Sequence, residues 1–368
     1  MLSSFKQHIS DTFPMLLKRP FLLACSGGVD SVVLAHLCSA SKLEFALAHC
    51  NFKLRAEASD EDAAFVAGLA KNLNVEFFVK DFETNSYVEN NKVSVQMAAR
   101  TLRYRWFKEL MQTTHYNYLI TAHHADDNLE TFLINLSRGT GIDGLSGIPE
   151  KTETIGRPLL PFSREEILSY AKQAQITWRE DASNADTKYL RNKIRHELVP
   201  KLKELHPTFE KNFRKTQKFL AGTTEVLDAH IVAIKDKLFV EKKGHYALEV
   251  SELMKLKPLK PYLYLLFKEY GFGEWDNVHD LLTAMSGKEV RSGTHRLIKS
   301  REVILLQELS DKEQDRKEYF LDSDDVLPLN LRQTEVEVIT ETSDTILYID
   351  KETLNDRLSV RKWKNGDY

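Results

Sequence analysis

The sequence has few cysteines and no long apolar run, and each shortage excludes a class of protein. Its 368 residues include only Cys25, Cys38 and Cys50, without a CxxC pair, which argues against a disulfide framework. No apolar stretch approaches the ~20 residues that a membrane span needs. The opening residues, MLSSFKQHISDTF, lack the apolar core of a signal peptide. These absences predict a cytoplasmic protein without a membrane partner.

Net charge is also nearly absent, at −3, yet the basic residues are unevenly distributed. Residues 188–218 contain ten Lys or Arg and three Glu, and residues 98–108 contain four basic residues and no acid. Concentrated positive charge on an otherwise acidic chain is typical of a surface that binds a nucleic-acid backbone. For each stretch alone, a solvated helix face is the simpler explanation.

Apolar strand-like segments alternate with helical patterns over residues 1–205. The strand-like segments are FLLAC, EFALAH, VEFFV and YLITA, which begin at Phe21, Glu44, Val75 and Tyr118. This alternation predicts an α/β fold with a doubly wound, mostly parallel sheet that is covered by helices on both faces. Ligands of such sheets bind beyond the carboxyl ends of the strands.

The chain is longer than one compact core usually organises, so we expect several domains. We predict a catalytic domain over residues 1–205 and a mainly helical domain over 206–310. The second domain contains a strand-like segment at 245–250 and a hairpin pattern at 294–306. A charged segment, DKEQDRKE, then leads to alternating residues that predict a small β-rich module over 311–368.

The most specific pattern is SGGVDS, which directly follows the first strand-like segment and opens a helix. Two glycines allow the backbone to approach an anion, and a helix N-terminus attracts phosphate. Asp30 repels phosphate by itself, but it fits if Mg²⁺ lies between them, because Mg²⁺ binds one or two carboxylates together with phosphate oxygens. Neither a Walker A lysine nor GxGxxG spacing is present. The pattern predicts a phosphate site formed by Ser26, Gly27, Gly28, Val29, Asp30 and Ser31.

A second cluster, HHADDNLET, begins at His123 after the YLITA segment. Asp126 or Asp127 is expected to cap the following helix, with Glu130 completing a capping box if Asp127 caps. Capping does not explain why two histidines and two aspartates occur together at a strand end. We therefore expect Asp127 to share a Mg²⁺ ion with Asp30, and His123 to donate to a phosphate.

Two further stretches are less specific. The segment RGTGIDGLSG at 138–147 fits either a flexible loop or a backbone that approaches a nucleotide. Arg191 and Arg195 are one helical turn apart and share a helix face, where guanidinium groups can bind phosphate. A basic surface helix explains this arginine pair equally well.

Together these motifs resemble the tRNA(Ile)-lysidine synthetase family of the PP-loop ATP pyrophosphatases. The resemblance covers about residues 20–205, and the rest of the chain is similar in kind to that family's two C-terminal domains. It implies a Rossmann-like fold of the adenine nucleotide α-hydrolase type. It also implies an incomplete last domain, because the family continues beyond a segment like RKWKNGDY. The companion motifs, in order, are AHCNFKLRAEASDEDAAFV, AARTLRYRWF, TAHHADDNLETFLINLSRGTGIDGLSGI, RPLLPFSREEI and DASNADTKYLRNKIRHELVPKL.

The resemblance implies a ligase that forms a carbon–nitrogen bond and converts ATP to AMP and pyrophosphate. In this family ATP adenylates the carbonyl oxygen at carbon 2 of the wobble cytidine, in the isoleucine tRNA whose anticodon is CAU. The ε-amine of free L-lysine then attacks that carbon and AMP leaves. Adenylation converts a poor leaving group into a good one, so the protein must mainly align substrates and neutralise charge.

The resemblance also implies roles for individual residues. The SGGVDS loop holds the departing pyrophosphate of ATP, and Asp30 and Asp127 bind Mg²⁺. For Arg100 and Arg103, salt bridges along the helix face are a competing explanation. The sequence identifies no lysine-binding residue and leaves homodimer formation open. The implied catalytic set is Asp30, His123, Asp127 and Arg195, and the implied tRNA-binding set is Arg100, Arg103, Arg191 and Arg195.

Two alternatives remain at the level of sequence. A PP-loop tRNA cytidine thiolation enzyme usually requires a cysteine pair or an iron–sulfur cluster, and the spacing of the three cysteines favours neither. A regulatory protein that binds nucleotide without catalysis does not require two clustered carboxylates. An assay of pyrophosphate release separates these three functions.

Overall fold

The computed structural model describes residues 1–55, 57–180, 190–242 and 244–309, and the backbone of 318–320 and 359–361. The chain divides into two compact units, Met1–Leu227 and Asp228–Tyr368. Among the described residues, no helix has the length and apolar character needed to cross a membrane. The predicted domain boundaries at residues 205 and 310 stay predictions.

The first unit contains a sheet of five short strands, and every pair of neighbouring strands in it is parallel. The strands are β1 (Phe21–Ala24), β2 (Phe45–Asn51), β3 (Glu76–Asp81), β4 (Leu119–Ile120) and β5 (Ile155–Gly156). Their order across the sheet is β3-β2-β1-β4-β5. The sequence pattern indicated the first four strands, and the two-residue strand β5 is too short to show a pattern of its own.

Helices connect the strands of the first unit and continue beyond them. The sequence of segment 138–147 fitted either a flexible loop or a backbone that approaches a nucleotide. In the structure this segment contains a short helix. A 3₁₀-helix at Pro14–Leu17 and a π-helical turn at Ile194–Leu198 complete the described helical elements of this unit. The α-helices are α1 (Leu2–Thr12), α2 (Val29–Ala40), α3 (Glu57–Leu73), α4 (Thr84–Asn91), α5 (Val95–Thr113), α6 (Ala125–Ser137), α7 (Ile142–Leu145), α8 (Arg164–Gln173), α9 (Leu190–Lys193), α10 (Val199–Glu204) and the start of α11 (Phe209–Leu238).

The central strand β1 is buried on both faces, which is the arrangement expected of a doubly wound sheet. Leu23 packs in an apolar cluster that includes Leu34 of α2. The adjacent residue, Leu22, points to the other face and packs with Phe107 of α5. The predicted α/β fold with helices on both faces of a parallel sheet is therefore confirmed.

Strand order places a crevice at the carboxyl end of β1. β2 and β3 lie on one side of β1, and β4 and β5 lie on the other. Connections that leave β1 and β4 therefore diverge, and this reversal is where open α/β sheets bind their ligands. SGGVDS follows β1 and HHADD follows β4, so the sheet brings the two sequence motifs to neighbouring positions.

The second unit combines the end of α11 with a five-stranded antiparallel sheet in the order β6-β7-β10-β9-β8. The predicted strand and hairpin correspond to β7, β9 and β10. The edge strands β6 and β8 have three residues each, too few to show an alternating pattern. The elements are β6 (Val240–Lys242), β7 (His245–Glu249), α12 (Val250–Leu253), α13 (Leu259–Phe267), a 3₁₀-helix (Lys268–Tyr270), α14 (Trp275–Leu281), β8 (Glu289–Arg291), β9 (His295–Ser300) and β10 (Val303–Glu308).

The predicted β-rich module over 311–368 falls mostly outside the described residues. Within it, β11 (Glu318–Phe320) and β12 (Ser359–Arg361) form an antiparallel pair. The predicted fold class is confirmed. The chain has a parallel sheet with helices, a helical middle region, and antiparallel strands towards the C-terminus.

Truncation of a core side chain tests the role of the sheet. Leu34 is fully buried against β1, so Leu34→Ala should lower the free energy of unfolding by about 3 kcal/mol, through lost burial and the cavity left behind. Leu17→Ala is the matched control, because Leu17 is 54% exposed. Urea unfolding measures both variants, and equal losses would contradict the packing described for α2.

Candidate active site

The SGGVDS segment forms a tight turn between β1 and α2. Gly27 has a φ of +88°, which strongly favours glycine, and its carbonyl accepts the Arg179 N–H at 3.0 Å. Ser31 Oγ donates to the Gly28 carbonyl at 2.9 Å and lies 3.3 Å from Ser26 Oγ. Within the described residues no side chain caps α2 at Gly28, so the first N–H groups of the helix can bind an anion.

A histidine at the end of β4 lies between the two predicted metal ligands. His124 is 1% exposed, and its Nε2 lies 3.6 Å from Asp30 Oδ2 and 3.5 Å from Asp127 Oδ2. The structure therefore brings Asp30 and Asp127 together at one nitrogen. Sequence reasoning assigned a role to His123 and missed His124, although both belong to the same motif.

The start of α6 differs from its prediction. His124 is the N-cap residue, and its Nδ1 accepts the Asp127 N–H at 3.4 Å. In return the His124 N–H donates to Asp127 Oδ2 at 3.0 Å, which completes a capping box. The expectation that Asp126 or Asp127 caps was wrong, because His124 is the last residue with extended backbone and its ring nitrogen replaces the usual side-chain oxygen.

Glu130 is not part of the capping box but accepts hydrogen bonds from two arginines. Its side chain is 1% exposed, and it accepts from Arg191 Nε at 3.0 Å and from Arg195 Nε at 2.5 Å. Arg195 Nη2 also lies 3.3 Å from Asp127 Oδ1. The two arginines therefore face α6 together, as their spacing predicts. The sequence signal for Glu130 is its position three residues after Asp127, on the same helix face.

Arg195 lies within the π-helical turn Ile194–Leu198, where the regular hydrogen-bond pattern is interrupted. Pro200 follows at the start of α10, and it has no N–H to continue an α-helical ladder. Single π turns often occur at functional sites, because they turn a side chain away from the regular helical direction.

A second set of charged contacts lies beside His124. Asp126 Oδ2 accepts the Arg164 N–H at 2.9 Å, and Asp126 Oδ1 lies 2.5 Å from Lys203 Nζ. Lys203 also contacts Glu210 at 2.5 Å, and Arg164 Nη1 reaches to 4.0 Å from Asp30 Oδ2. An open cavity of about 470 Å³ borders these contacts, and it is lined by Asp126, Arg164, Glu165, Leu168, Ser169, Lys172 and Lys203.

The two neighbouring histidines have opposite electrostatic environments. His123 Nδ1 lies 2.9 Å from Thr121 Oγ1, and burial lowers the pKa of His123 to about 4, which leaves its ring neutral near pH 7. Burial also opposes protonation of His124, but the charges of Asp127 and Asp30 outweigh it and raise the pKa of His124. Burial alone would raise the pKa of Asp127, but the charge of His124 and other nearby groups lower it instead.

Arg100 and Arg103 lie on the exposed face of α5 and stack over aromatic rings. The Arg100 guanidinium lies 5.0 Å from the Tyr104 ring centre, and that of Arg103 lies 5.3 Å from the ring of Phe52, which follows β2. In the part of the chain that the structure describes, neither forms a salt bridge. Their positive charge therefore remains uncompensated near the carboxyl edge of the sheet.

The aspartate pair has the donor chemistry that Mg²⁺ requires. Asp30 Oδ1 is buried and has no hydrogen-bond partner among the described residues. A buried carboxylate oxygen without a partner is costly, and a hard cation would satisfy it. The described side chains contain no ready-made cage of three or more His, Cys, Asp or Glu ligands, so phosphate oxygens would have to complete the coordination.

Comparison with known proteins identifies the family. A family model of the PP-loop domain matches residues 1–202, and a model of the TilS substrate binding domain matches residues 241–309. The tRNA(Ile)-lysidine synthase of Parabacteroides distasonis is 36% identical over 95% of this chain and 81% of its own length. The chain belongs to the tRNA(Ile)-lysidine synthase family. A family member from Bacteroides thetaiotaomicron is 31% identical over 94% of this chain and 79% of its own length.

A third family member, from Porphyromonas gingivalis, is 39% identical over 80% of this chain, and the match spans 64% of that protein. Among solved structures, the U34-tRNA thiolase NcsA from Methanococcus maripaludis, with its 4Fe-4S cluster, has a TM-score of 0.50 and 16% identity. That match covers 60% of this chain and 78% of the thiolase. At this identity the similarity shows a shared fold, and it does not extend to the chemistry.

Removal of one arginine tests the ion network around α6. Arg195→Met should lower the free energy of unfolding by about 3 kcal/mol, because buried Glu130 and Asp127 each lose a cationic partner. Lys211→Met is the control, since Lys211 is an exposed basic residue of the same stretch. Thermal or urea unfolding compares the two variants. A loss no larger than that of the control would show that Arg195 is only a surface cation.

Proposed function

We propose that this chain ligates L-lysine to carbon 2 of the wobble cytidine in the isoleucine tRNA with a CAU anticodon, at the expense of ATP. The observation that carries the proposal is the meeting of Asp30 and Asp127 at His124, directly beside the SGGVDS turn. Membership in the tRNA(Ile)-lysidine synthase family supports the same substrates.

The reaction has two steps, each with one bond formed and one broken. In the first, the cytidine carbonyl oxygen attacks the α-phosphorus of ATP, and the bond to the β-phosphate breaks to release pyrophosphate. In the second, the ε-amine of lysine loses a proton to solvent and attacks carbon 2, the carbon–oxygen bond breaks and AMP leaves. The leaving groups are anionic, so the chain must supply positive charge where they form.

The phosphate groups of ATP are assigned to the turn between β1 and α2. Gly27 and Gly28 allow close approach of the backbone, and the hydroxyls of Ser26 and Ser31 face one another there. Asp30 and Asp127 would hold Mg²⁺, which when bound supplies positive charge to the phosphate oxygens. ATP held in this way would have its α-phosphorus near the crevice between β1 and β4.

The arginines are assigned to the nucleic acid and to the developing charge. Arg195 contacts Asp127 and Glu130, so its guanidinium is fixed beside one of the aspartates assigned to Mg²⁺. Arg191 shares Glu130, and it places a further positive charge close to His123. Arg100 and Arg103 remain without carboxylate partners in the described chain, and they are assigned to the tRNA backbone. His123, neutral near pH 7, can contact a phosphate without competing with Mg²⁺ for charge.

The cysteines do not favour a thiolation enzyme. Cys25 and Cys38 are buried, and burial raises the pKa of both thiols. Burial also raises the pKa of Cys50 to about 12. The described residues also contain no group of three or more His, Cys, Asp or Glu side chains that could hold a metal cluster. Formation of a homodimer and a cytoplasmic location stay predictions.

Pyrophosphate release tests the proposed function directly. The assay combines the protein with ATP, magnesium and a transcript of the CAU-anticodon isoleucine tRNA, with or without L-lysine. Mass spectrometry of the tRNA then detects the added lysine on the wobble cytidine. A methionine tRNA transcript, which shares the anticodon, is the matched control. Modification that requires a sulfur donor, or none with either tRNA, would reject the proposal.

Loss of the first carboxylate should stop the chemistry and spare binding of the tRNA. Asp30→Ala removes one of the two oxygen donors assigned to Mg²⁺, so pyrophosphate release should fall by about 100-fold or more while tRNA affinity stays within about twofold. Asp236→Ala, at an exposed position of the second unit, is the control. Unchanged turnover in Asp30→Ala would remove the metal assignment.

Salt dependence tests the two arginines of α5. If Arg100 and Arg103 each neutralise one phosphate, replacing both with Gln should weaken tRNA binding and reduce the slope of log K against log salt by about 1 for each arginine. Arg105→Gln is the control on the same helix, because Arg105 stacks over Tyr87 on another face. If the salt dependence of the double variant has the same slope as that of Arg105→Gln, then Arg100 and Arg103 do not contact tRNA and belong to an ordinary solvated helix face.

A further inference from the structure

We propose that His124 is a positioning residue, which holds Asp30 and Asp127 side by side through a hydrogen atom on its Nε2. The catalytic meaning of this role rests on the proposed function, whereas the contact itself does not. The two aspartates belong to different helices, α2 and α6, and their like charges repel each other. An element that attracts both carboxylates is therefore needed if they are to stay close before a cation and a nucleotide bind.

The charged contacts single out His124 for this role. Of the two aspartates, Arg195 Nη2 contacts only Asp127, at 3.3 Å, and Arg164 Nη1 approaches only Asp30, at 4.0 Å. Within the described residues, His124 is the one basic side chain whose ion-pair contacts include both aspartates, at 3.6 and 3.5 Å. Both contacts are made by the same nitrogen, so the hydrogen it carries attracts the two carboxylates at once.

The capping box determines which ring nitrogen carries that hydrogen. Nδ1 of His124 faces the Asp127 N–H and accepts from it, so a neutral ring must carry its hydrogen on Nε2. A protonated ring also carries a hydrogen on Nε2, although its Nδ1 can then no longer accept from the Asp127 N–H. In either state the Nε2–H is directed at the two carboxylates, so the positioning role does not depend on the charge of the ring.

The ring has little freedom to leave this position. His124 is 1% exposed, and its own N–H donates back to Asp127 Oδ2 at 3.0 Å. Rotation of the ring would therefore break the cap of α6 as well as the contacts with both carboxylates. The same residue thus begins the helix and aligns the aspartates, so correct folding of α6 prepares the site in advance.

The oxygen atoms are divided between His124 and the other partners. His124 uses Oδ2 of both aspartates, and Arg195 lies beside Oδ1 of Asp127. Asp30 Oδ1 remains buried without a hydrogen-bond partner among the described residues. The histidine therefore fixes the orientation of the Asp30 carboxylate and leaves one of its oxygens available for a cation.

Two substitutions separate positioning from capping. His124→Asn retains a short polar side chain that is favoured at an N-cap, but it has no atom at the place of Nε2. In His124→Gln, the side-chain amide nitrogen can lie close to the place of Nε2, but glutamine is a poorer N-cap than asparagine. We expect His124→Asn to keep the melting temperature and the tRNA affinity of the wild type, and to lower kcat for pyrophosphate release by about 10- to 100-fold. KM for tRNA should change little, and His124→Gln should recover part of kcat.

The opposite result would overturn the proposal. If His124 is only a helix cap, the Asn variant retains the full kcat and the Gln variant loses stability. The wild-type protein must first release pyrophosphate in the presence of tRNA and lysine. A wild type that does not do so rejects the proposed function, and the next measurement still decides the role of His124.

The second measurement needs no turnover and no substrate. Nitrogen-15 spectra of histidine-labelled wild-type protein, without ATP or magnesium, report which ring nitrogen carries hydrogen. The His124 signals are assigned through the backbone of the His124–Ala125 step, because the sequence contains alanine directly after histidine at that one position. We expect a hydrogen on Nε2 near pH 7. A ring that carries hydrogen only on Nδ1 would overturn the proposal, even if neither His124 variant folds.

Discussion

The parallel pairing of β1 with β4 is the constraint on which the rest of the site depends. The paired residues are Leu22 with Leu119 and Leu23 with Ile120, so the two strands end at nearly the same level. The turn that holds Asp30 and the helix start that holds His124 therefore lie next to each other. Neither motif has the necessary partners within its own segment, because each provides only one of the two aspartates.

Charge balance is the second requirement of this arrangement. Four carboxylates lie close to the start of α6, and buried carboxylates are stable only when cations or hydrogen-bond donors surround them. Each carboxylate has at least one basic partner, and several partners come from the helices that follow residue 190. These helices therefore complete the site as well as carrying basic residues. The pairs are Asp30 with His124, Asp126 with Lys203, Asp127 with Arg195 and Glu130 with Arg191.

Fold and chemistry are determined at different levels in this protein. The parallel sheet is shared with a thiolase at 16% identity, so the sheet alone does not specify the reaction. Cys25 and Cys38 are buried, and the described residues hold no cluster of three or more potential metal ligands, whereas the site contains a pair of aspartates. Family membership rests on the PP-loop domain and the substrate binding domain together, since both models match the same chain.

The sequence by itself determined the strand–helix alternation, the glycine turn after the first strand and the family, because turn chemistry and hydrophobic period are local properties. Tertiary structure alone decided that His124 caps α6, that Glu130 holds Arg191 and Arg195, and that short edge strands complete the antiparallel sheet. These outcomes depend on contacts between residues that are far apart in the sequence, such as Asp30 with His124 and Glu130 with Arg195. Strand order and helix packing produce such contacts, and neither segment alone contains a periodic pattern that predicts them.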